Sequence, residues 1–391
     1  MSVNPISPNC KSDHLFLLVG TNPLPNYVAS QLLAAPNTRL YLAVTDEILK
    51  MKIPERLLKL LGRDPSDQSQ NVPVEASNSI DIYSKVMNRV INTPGSWGLH
   101  YTGGKKVMAV HAYRAVERAL AETNRAGQGV FSYLDADSLA IVIEQAGKPV
   151  EYYSSRLEEP VMLWQLIDLH GKPEATVNKA RWDYYPEEAF DNRPLREKLH
   201  RTPFQPDLCE ALKNASLSDN KVFIDTVIER IPALASETNQ RSKDIEDWIS
   251  NGFWLEHYLL NRILHLKDVC GIRDYALGFE SHIFDPIDWE KDIFESDVVA
   301  IQNYRLFYFS ATTSKNKKSN KLRLFEAYAR AQQLGGEQAK TALVTFYPEP
   351  DRLRRELYDE RHIQVSIFGP EHMEDTDTFD EYLKDWMKWS V

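Results

Sequence analysis

The chain has 391 residues, which exceeds the size of one ordinary hydrophobic core and predicts two or three domains. Its hydrophobic fraction of 43% and charged fraction of 26% are typical of globular protein. A formal net charge of -10 argues against a protein that coats nucleic acid, because phosphate backbones require clustered lysine and arginine. It leaves room for an enzyme that meets nucleic acid through a metal ion or a local basic patch.

The N-terminal residues lack the basic start and apolar run of a signal peptide. The longest apolar runs, such as Leu15 to Gly20, have the length of a strand and are too short to span a membrane. Cys10, Cys209 and Cys270 are far apart and form no CxxC pair, which indicates free thiols in a reducing compartment. We therefore expect a cytoplasmic protein with no membrane partner.

Strand-like and helix-like segments alternate over residues 1–150, which predicts an α/β domain with a mostly parallel, Rossmann-like sheet. Short apolar runs such as Leu15 to Val19 are typical of strands that are buried on both faces. The predicted strands are 15–19, 39–44, 97–101, 131–134 and 139–143, the predicted helices are 27–35, 48–61, 80–91 and 107–124, and residues 64–79 are predicted as a loop.

Residues 151–242 are rich in proline and are predicted to be a connecting region with two helices, 207–215 and 223–229. Residues 243–391 follow a different order of elements, which predicts a C-terminal mixed α/β domain. Its predicted elements are a helix over 245–266, a strand over 275–279, a hairpin of 296–301 and 304–310, a helix over 322–334 ended by Gly335-Gly336, and strands over 339–346 and 363–368.

Two glycine-containing loops follow predicted strands of the first domain, Gly20-Thr-Asn-Pro-Leu-Pro-Asn26 and Thr102-Gly-Gly-Lys-Lys106. Ligands of an open parallel sheet bind beyond the carboxyl ends of its strands. Glycine lets the backbone approach a phosphate, and the N–H groups of the next helix then face the anion. Neither loop matches a dinucleotide-binding motif or a P-loop, and each alone is compatible with a tight turn. Together they favour a nucleotide-type ligand.

The segments LFLLVGTNPLPN, YLAVTDE and LHYTGGKKVMAVHAY resemble the CARF domain (CRISPR-associated Rossmann fold) over residues 13–150. The resemblance implies a homodimer whose paired loops bind a ring of linked adenylates, usually cyclic tetra-adenylate. The family's usual second loop reads TGGTK, and Lys105 stands here in the threonine position. The implied contacts are Gly20, Thr21, Asn22, Pro23, Asn26, Thr102, Gly103, Gly104, Lys105 and Lys106, with Thr45 and Asp46 as weaker candidates.

Carboxylates of the predicted C-terminal domain form a candidate metal site for phosphodiester chemistry. Glu256 ends the run Gly-Phe-Trp-Leu-Glu on the predicted helix, and Glu295 and Asp297 open the predicted hairpin. Such carboxylates hold Mg²⁺ or Mn²⁺, which polarises a phosphate and generates hydroxide. By themselves, Glu256 is equally compatible with a solvated helix carboxylate and Asp297 with a residue at a strand end.

Residues 245–347 resemble the PD-(D/E)xK, or restriction-endonuclease-like, effectors that accompany CARF domains. The resemblance implies Glu256, Glu295 and Asp297 as metal ligands, and Ser310 as a catalytic residue beside Glu256 and Asp297. The family expects a lysine where this chain has Thr312.

The absence of this lysine's positive charge leaves two interpretations. Lys315, our candidate catalytic lysine, or Lys317, Lys318 or Lys321 supplies it as a flexible point charge, or the domain keeps its fold and has lost most of its chemistry. The basic run that contains these lysines and Arg323 is either a solvated loop or a grip on a nucleic-acid backbone.

The function that we expect is a metal-dependent nuclease of type III CRISPR antiviral signalling that cyclic oligoadenylate activates to cleave DNA or RNA. One alternative is a sensor that binds the ring and cannot cleave, which Thr312 favours. A second alternative is a ring nuclease, in which a ribose 2′-hydroxyl attacks the adjacent phosphate and Lys105 or Lys106 stabilises the developing charge.

Overall fold

The computed structural model describes residues 6–170, 206–218, 221–238, 241–282, 293–357 and 364–389. These residues form two β-sheets with helices packed on them. The predicted class is confirmed, since one sheet is mostly parallel and the other is mixed.

The first sheet has the strand order β3-β2-β1-β4-β5-β6-β7. Its first five strands in sequence run parallel, and β6 and β7 join the edge as antiparallel strands. The strands are β1 (His14–Leu18), β2 (Arg39–Val44), β3 (Asn71–Pro73), β4 (Trp97–His100), β5 (Gly129–Asp135), β6 (Ala140–Gln145) and β7 (Glu151–Ser154).

Helices cover both faces of this sheet, because successive residues of its strands point to opposite sides. Leu15 and Leu17 of β1 join one hydrophobic cluster, and Phe16 and Leu18 join another. The helices are α1 (Leu24–Leu33), α2 (Asp46–Lys50), α3 (Ile53–Leu60), α4 (Ser79–Ile91), α5 (Lys106–Glu122) and α6 (Leu163–His170). The chain order reverses between β1 and β4, so the loops that leave these two strands flank a crevice.

The second sheet has the order β12-β11-β10-β9-β8, in which β8, β9 and β10 are antiparallel and β10, β11 and β12 are parallel. Asn303, with a φ of 60°, makes the turn of the predicted hairpin. The strands are β8 (Ile272–His282), β9 (Ile293–Gln302), β10 (Arg305–Thr312), β11 (Lys340–Thr345) and β12 (Val365–Phe368).

Helices precede, cover and follow this second sheet. They are α7 (Pro206–Leu217), α8 (Lys221–Glu229), α9 (Ile231–Thr238), α10 (Ser242–Ser250), α11 (Phe253–His265), α12 (Lys267–Cys270), α13 (Lys317–Gly335), α14 (Pro350–Leu357), α15 (Pro370–Met373) and α16 (Thr376–Met387).

One hydrophobic cluster joins the two sheets. It contains Leu15 and Leu17 of β1, Val299 and Ile301 of β9, and Leu334 of α13, and the helix α6 packs into it. Hydrogen bonds also join the two sheets' domains. The backbone N–H of Leu157 donates to Oδ1 of Asn303 over 2.9 Å, and the hydroxyls of Ser155 and Tyr304 are hydrogen-bonded to each other. The domains therefore share a core, through which a change in one can reach the other.

Several predicted elements need correction. The single helix predicted over 245–266 is two helices, because Gly252 adopts a left-handed φ of 79° between them. Strand β3 lies inside the predicted loop 64–79, and β7 and α6 lie inside the predicted connecting region. The helix predicted over 322–334 begins earlier, at Lys317, where the Asn316 side chain accepts a hydrogen bond from the N–H of Ser319. Residues 171–205 of the predicted connecting region lie outside the described residues.

Candidate ligand cleft and nuclease cavity

The two predicted loops meet at the crevice between β1 and β4. A Cβ atom on Gly20 would lie 3.0 Å from the backbone nitrogen of Gly104, and one on Gly103 would overlap the carbonyl oxygen of Leu18. Glycine is required at these positions because the backbones of the loops are in direct contact. The structure therefore brings both loops into one surface, which we name the ligand cleft.

Some predicted contact residues shape the cleft from within. The buried Asn26 donates from Nδ2 to the carbonyl oxygen of Leu18 over 3.0 Å, and Pro23 is buried beside it. Oγ1 of Thr102 accepts a hydrogen bond of 2.6 Å from the N–H of Leu134. These side chains fix the loops, so they are less available to a ligand than the sequence suggested.

The surface of the cleft is formed by the remaining predicted residues. Thr21, Gly104, Lys105 and Lys106 are exposed. Helix α5 begins at Lys106, and no side chain caps its N-terminus. The backbone N–H groups of this first turn and the two lysines give the cleft a positive character that suits a phosphate. Thr45, by contrast, caps helix α2 by accepting from the N–H of Ile48 over 3.4 Å.

Asn22 connects the first loop to the second sheet's domain. Its Oδ1 accepts a hydrogen bond of 3.0 Å from the N–H of Leu24 and lies 3.1 Å from Nε2 of His170. A Cβ atom on Gly336 would overlap the Asn22 amide, so the loop lies against the C-terminal end of α13. Burial lowers the pKa of His170 to about 4, which keeps this contact uncharged at neutral pH.

A cavity of about 360 Å³ lies beside the middle of α13, at Arg323 to Ala327, and we name it the nuclease cavity. Strands β9 and β10 and helices α11 and α13 enclose it. Its lining contains three carboxylates and one guanidinium, and the residues are Asn251, Phe253, Glu256, Asp297, Tyr308, Ser310, Ala311, Thr312, Arg323, Glu326 and Ala327.

Asp297 is the most constrained of these carboxylates. Its Oδ2 accepts hydrogen bonds from Oγ of Ser310 over 3.0 Å and from the N–H of Ala311 over 2.6 Å. Nη1 of Arg323 lies 3.7 Å from the same oxygen. Burial raises the pKa of Asp297, and these donors oppose the rise without cancelling it.

Gly252 places Glu256 at the nuclease cavity. Its positive φ separates α10 from α11 and allows α11 to begin at Phe253, and a Cβ atom there would lie 3.0 Å from the side chain of Thr313. Glu256 is in the first turn of α11, where the helix dipole favours a carboxylate, and it is 8% exposed.

The structure brings Glu256, Asp297 and Ser310 together as the sequence predicted, and it separates them from the predicted lysine. Lys315 is exposed in the loop after β10 and does not line the nuclease cavity. Lys317 and Lys321 both pair with Glu356.

Sequence reasoning missed Arg323 and Glu326 as cavity residues. In the sequence, Arg323 belongs to a basic run, and no neighbouring residue marks it as a partner of Asp297. The available signal was their spacing of three residues, which places both on one face of a helix.

The oxygen ligands of the nuclease cavity fit a hard divalent cation, since Mg²⁺ and Mn²⁺ prefer carboxylates. No cluster of three or more histidine, cysteine, aspartate or glutamate residues in the described part of the chain is compact enough to hold a metal ion. Glu295, the third predicted ligand, has its side chain outside the described residues.

The chain joins a Rossmann-like domain, whose cleft presents an uncapped helix N-terminus and two lysines, through a common core to a mixed α/β domain with an acidic cavity. Residues 244–390 match the family model described as the Card1-like endonuclease domain. The match confirms the nuclease resemblance of the C-terminal block, and the first sheet has the expected Rossmann-like order.

Solved structures share the whole fold. A protein from Vibrio cholerae, VC1899, is 15% identical with a TM-score of 0.62, and the similarity covers 97% of this chain and 99% of that one. Can2 from Sulfobacillus thermosulfidooxidans, solved in complex with cyclic tetra-adenylate, is 15% identical with a TM-score of 0.61, and the similarity covers 96% of this chain and 97% of that one. At this identity, the likeness establishes a common fold.

No curated protein matches the sequence. Within the described residues, none of the helices combines the length and apolar character needed to cross a bilayer.

Proposed function

We propose that this protein is a nuclease of type III CRISPR antiviral signalling that cyclic oligoadenylate activates. The observation that carries the proposal is that one chain holds both an anion-facing ligand cleft and a Card1-like endonuclease domain with an acidic cavity. The same fold in Can2 was solved with cyclic tetra-adenylate bound, which supports this ring as the activator. The buried, unpaired Cys10, Cys209 and Cys270 support a cytoplasmic location.

The ring binds where two copies of the chain meet. A two-fold symmetric ligand presents the same groups to both copies, so each ligand cleft contacts half of the ring through Thr21, Gly104, Lys105 and Lys106. A homodimer is supported by Leu322 and Phe325, which lie 70% and 50% exposed on one face of α13 and whose burial would stabilise a pair of chains.

The nuclease cavity binds the scissile phosphodiester, and of the predicted metal ligands Glu256 and Asp297 line it and would contribute to holding Mg²⁺ or Mn²⁺. When bound, such an ion polarises the phosphate and lowers the pKa of a bound water. Ser310 and the Ala311 N–H orient Asp297 through their hydrogen bonds. Phe253 and Ala327 line the cavity beside these groups and limit the access of bulk water.

The ring acts on the cavity through α13. Asn22 in the ligand cleft lies against Gly336 at one end of this helix, and Arg323 and Glu326 line the nuclease cavity further along it. A helix of 19 residues is a rigid rod of about 28 Å, so a displacement of the first loop moves the cavity residues. For this shift to occur, the ring must bind more tightly to the arrangement of the first loop and α13 that cleaves than to the arrangement that does not.

Two measurements on one protein sample test the proposal. Titration calorimetry with cyclic tetra-adenylate in EDTA should show uptake of the ring, and chromatography of the same sample should recover the ring intact. Plasmid and RNA substrates should be cleaved in Mg²⁺ or Mn²⁺ when the ring is present, and Asp297→Ala should abolish cleavage without weakening ring binding. Ring uptake without cleavage in either metal would select the sensor, and shortened linear adenylates in EDTA would select the ring nuclease.

A further inference from the structure

The nuclease cavity has a cationic side chain on helix α13, whereas the resembled nucleases carry theirs on the strand. Thr312, which occupies the position where the resembled nucleases have lysine, lines the cavity and accepts a hydrogen bond from the N–H of Ser314 over 3.2 Å. Arg323 enters the same cavity from α13 and is the one cationic side chain among the described residues that line it. The positive charge therefore comes from a helix instead of from the strand.

The neighbouring lysines are engaged elsewhere. Lys317 and Lys321 precede Arg323 on α13, and both pair with Glu356 of α14. Arg323 instead faces Asp297, with Nη1 3.7 Å from Oδ2, and its side chain remains 47% exposed. At that distance the pair is longer than a hydrogen bond, so the guanidinium keeps N–H donors for a second anion.

We propose that Arg323 is a catalytic residue that binds the scissile phosphate and replaces the absent lysine. This inference rests on the proposed nuclease function. During hydrolysis, the oxygen of water bonds to phosphorus and the water gives up a proton, while the bond to the leaving oxygen breaks and that oxygen takes up a proton. Arg323 keeps its protons throughout and donates hydrogen bonds to the non-bridging oxygens, where negative charge accumulates.

The planar guanidinium makes this role different from that of a lysine. It matches two phosphate oxygens at once, whereas an ammonium group acts as a point charge. Arg323→Lys should therefore be impaired as well, although less than Arg323→Ala. A lysine introduced at position 312 should restore the charge from the strand.

The test compares Arg323→Ala, the double variant Arg323→Ala with Thr312→Lys, and the control Arg330→Ala, which removes an arginine of the same helix that does not line the cavity. With the ring present, Arg323→Ala should lower kcat by about 100-fold or more, with a smaller change in KM. The double variant should regain at least about tenfold, and the control should cleave like the unmodified protein.

A second readout does not depend on turnover. Fluorescence anisotropy with a labelled oligonucleotide in EDTA should show weaker binding by Arg323→Ala, and the slope of log affinity against log salt should fall by about 1. Equal cleavage and equal salt dependence of Arg323→Ala and the unmodified protein would overturn the role of Arg323. Absence of cleavage by the unmodified protein would instead overturn the proposed function, and anisotropy would still decide the phosphate contact.

Discussion

At the residue scale, the buried carboxylate of Asp297 serves the proposed chemistry and lowers the stability of the fold. Burial raises its pKa above the ordinary 3.8, so the folded state favours the neutral form more than the unfolded state does. The associated stability is fully present below the unfolded pKa and is lost as the pH rises through the folded one. At neutral pH the protein therefore holds a carboxylate that destabilises the fold.

The variant Asp297→Asn tests this balance. It should abolish ring-stimulated cleavage and raise the Tm by about 2–4 °C at neutral pH, because the amide carries no charge into the buried site. The gain should shrink as the pH falls toward 4. Scanning calorimetry across this pH range checks it, with Asp385→Asn, an exposed aspartate of α16, as the control. A lower Tm at neutral pH would show that the lost hydrogen bonds outweigh the charge.

The sequence identified two of the three cavity carboxylates, Glu256 and Asp297, and missed Glu326 and the cationic Arg323. Glu256, Asp297 and Ser310 lie in short local motifs, so their neighbours in sequence revealed them. Arg323 reaches Asp297 from a helix that begins after the hairpin, and the distance between them depends on tertiary packing. No sequence pattern reports that distance, so the sequence alone favours Lys315 as the catalytic cation.

At the scale of elements, strand and helix positions in the first sheet followed from apolar runs that are buried on both faces. Short elements were missed because their sequence signal is weak. β3 has three residues, and its sequence contains Pro73, which is unfavourable in a strand interior. The break between α10 and α11 was missed because the apolar periodicity continues through Gly252, and only its positive φ reveals the turn.

Gly252→Ala should loosen the nuclease cavity. A left-handed conformation costs a non-glycine residue about 1–2 kcal/mol, and the new methyl group would also press on Thr313. We expect a lower denaturation midpoint and reduced cleavage.

Two glycines separate the causes of that effect. Gly62→Ala adds a methyl group to a residue whose φ is already +66°, and no atom lies within 4 Å of the new Cβ. Gly127→Ala brings neither the left-handed backbone strain nor a steric contact. Urea denaturation should rank the loss of stability as Gly252→Ala first, Gly62→Ala second and Gly127→Ala last. Equal midpoints for the first two variants would mean that the contact with Thr313 is not important.

At the scale of the whole molecule, the shared core and the Asn22 contact supply the route by which the proposed ring at one sheet would change the cavity at the other. His170 lies between these parts and outside the predicted ligand loops. His170→Gln should therefore leave ring affinity within about threefold and reduce the stimulation of cleavage by about fivefold or more, since coupling energies are about 1–3 kcal/mol.

The matched control for this variant is His265→Ala, an exposed histidine of α11 that pairs with Asp380. Calorimetry reports ring affinity, and a cleavage assay at saturating ring reports stimulation. Full stimulation in His170→Gln would exclude this contact as the route between the sites, and a large loss of ring affinity would place His170 in the ligand cleft.

A change in element order near residue 243 predicts where the C-terminal domain begins. The contacts between the two domains could not be predicted from the sequence. These contacts, such as Leu157 with Asn303, join residues about 150 positions apart that carry no local motif. The shared core depends on which face of each sheet is turned inward, and apolar residues occupy both faces of central strands such as β1 and β9.

The most direct test is the initial rate of nucleic-acid cleavage as cyclic tetra-adenylate is titrated into the protein in Mg²⁺ or Mn²⁺. Our account predicts negligible cleavage without the ring. With the ring, the rate should rise until one ring has been added for every two protein chains and then stay constant. A rate that is the same with and without the ring would contradict it.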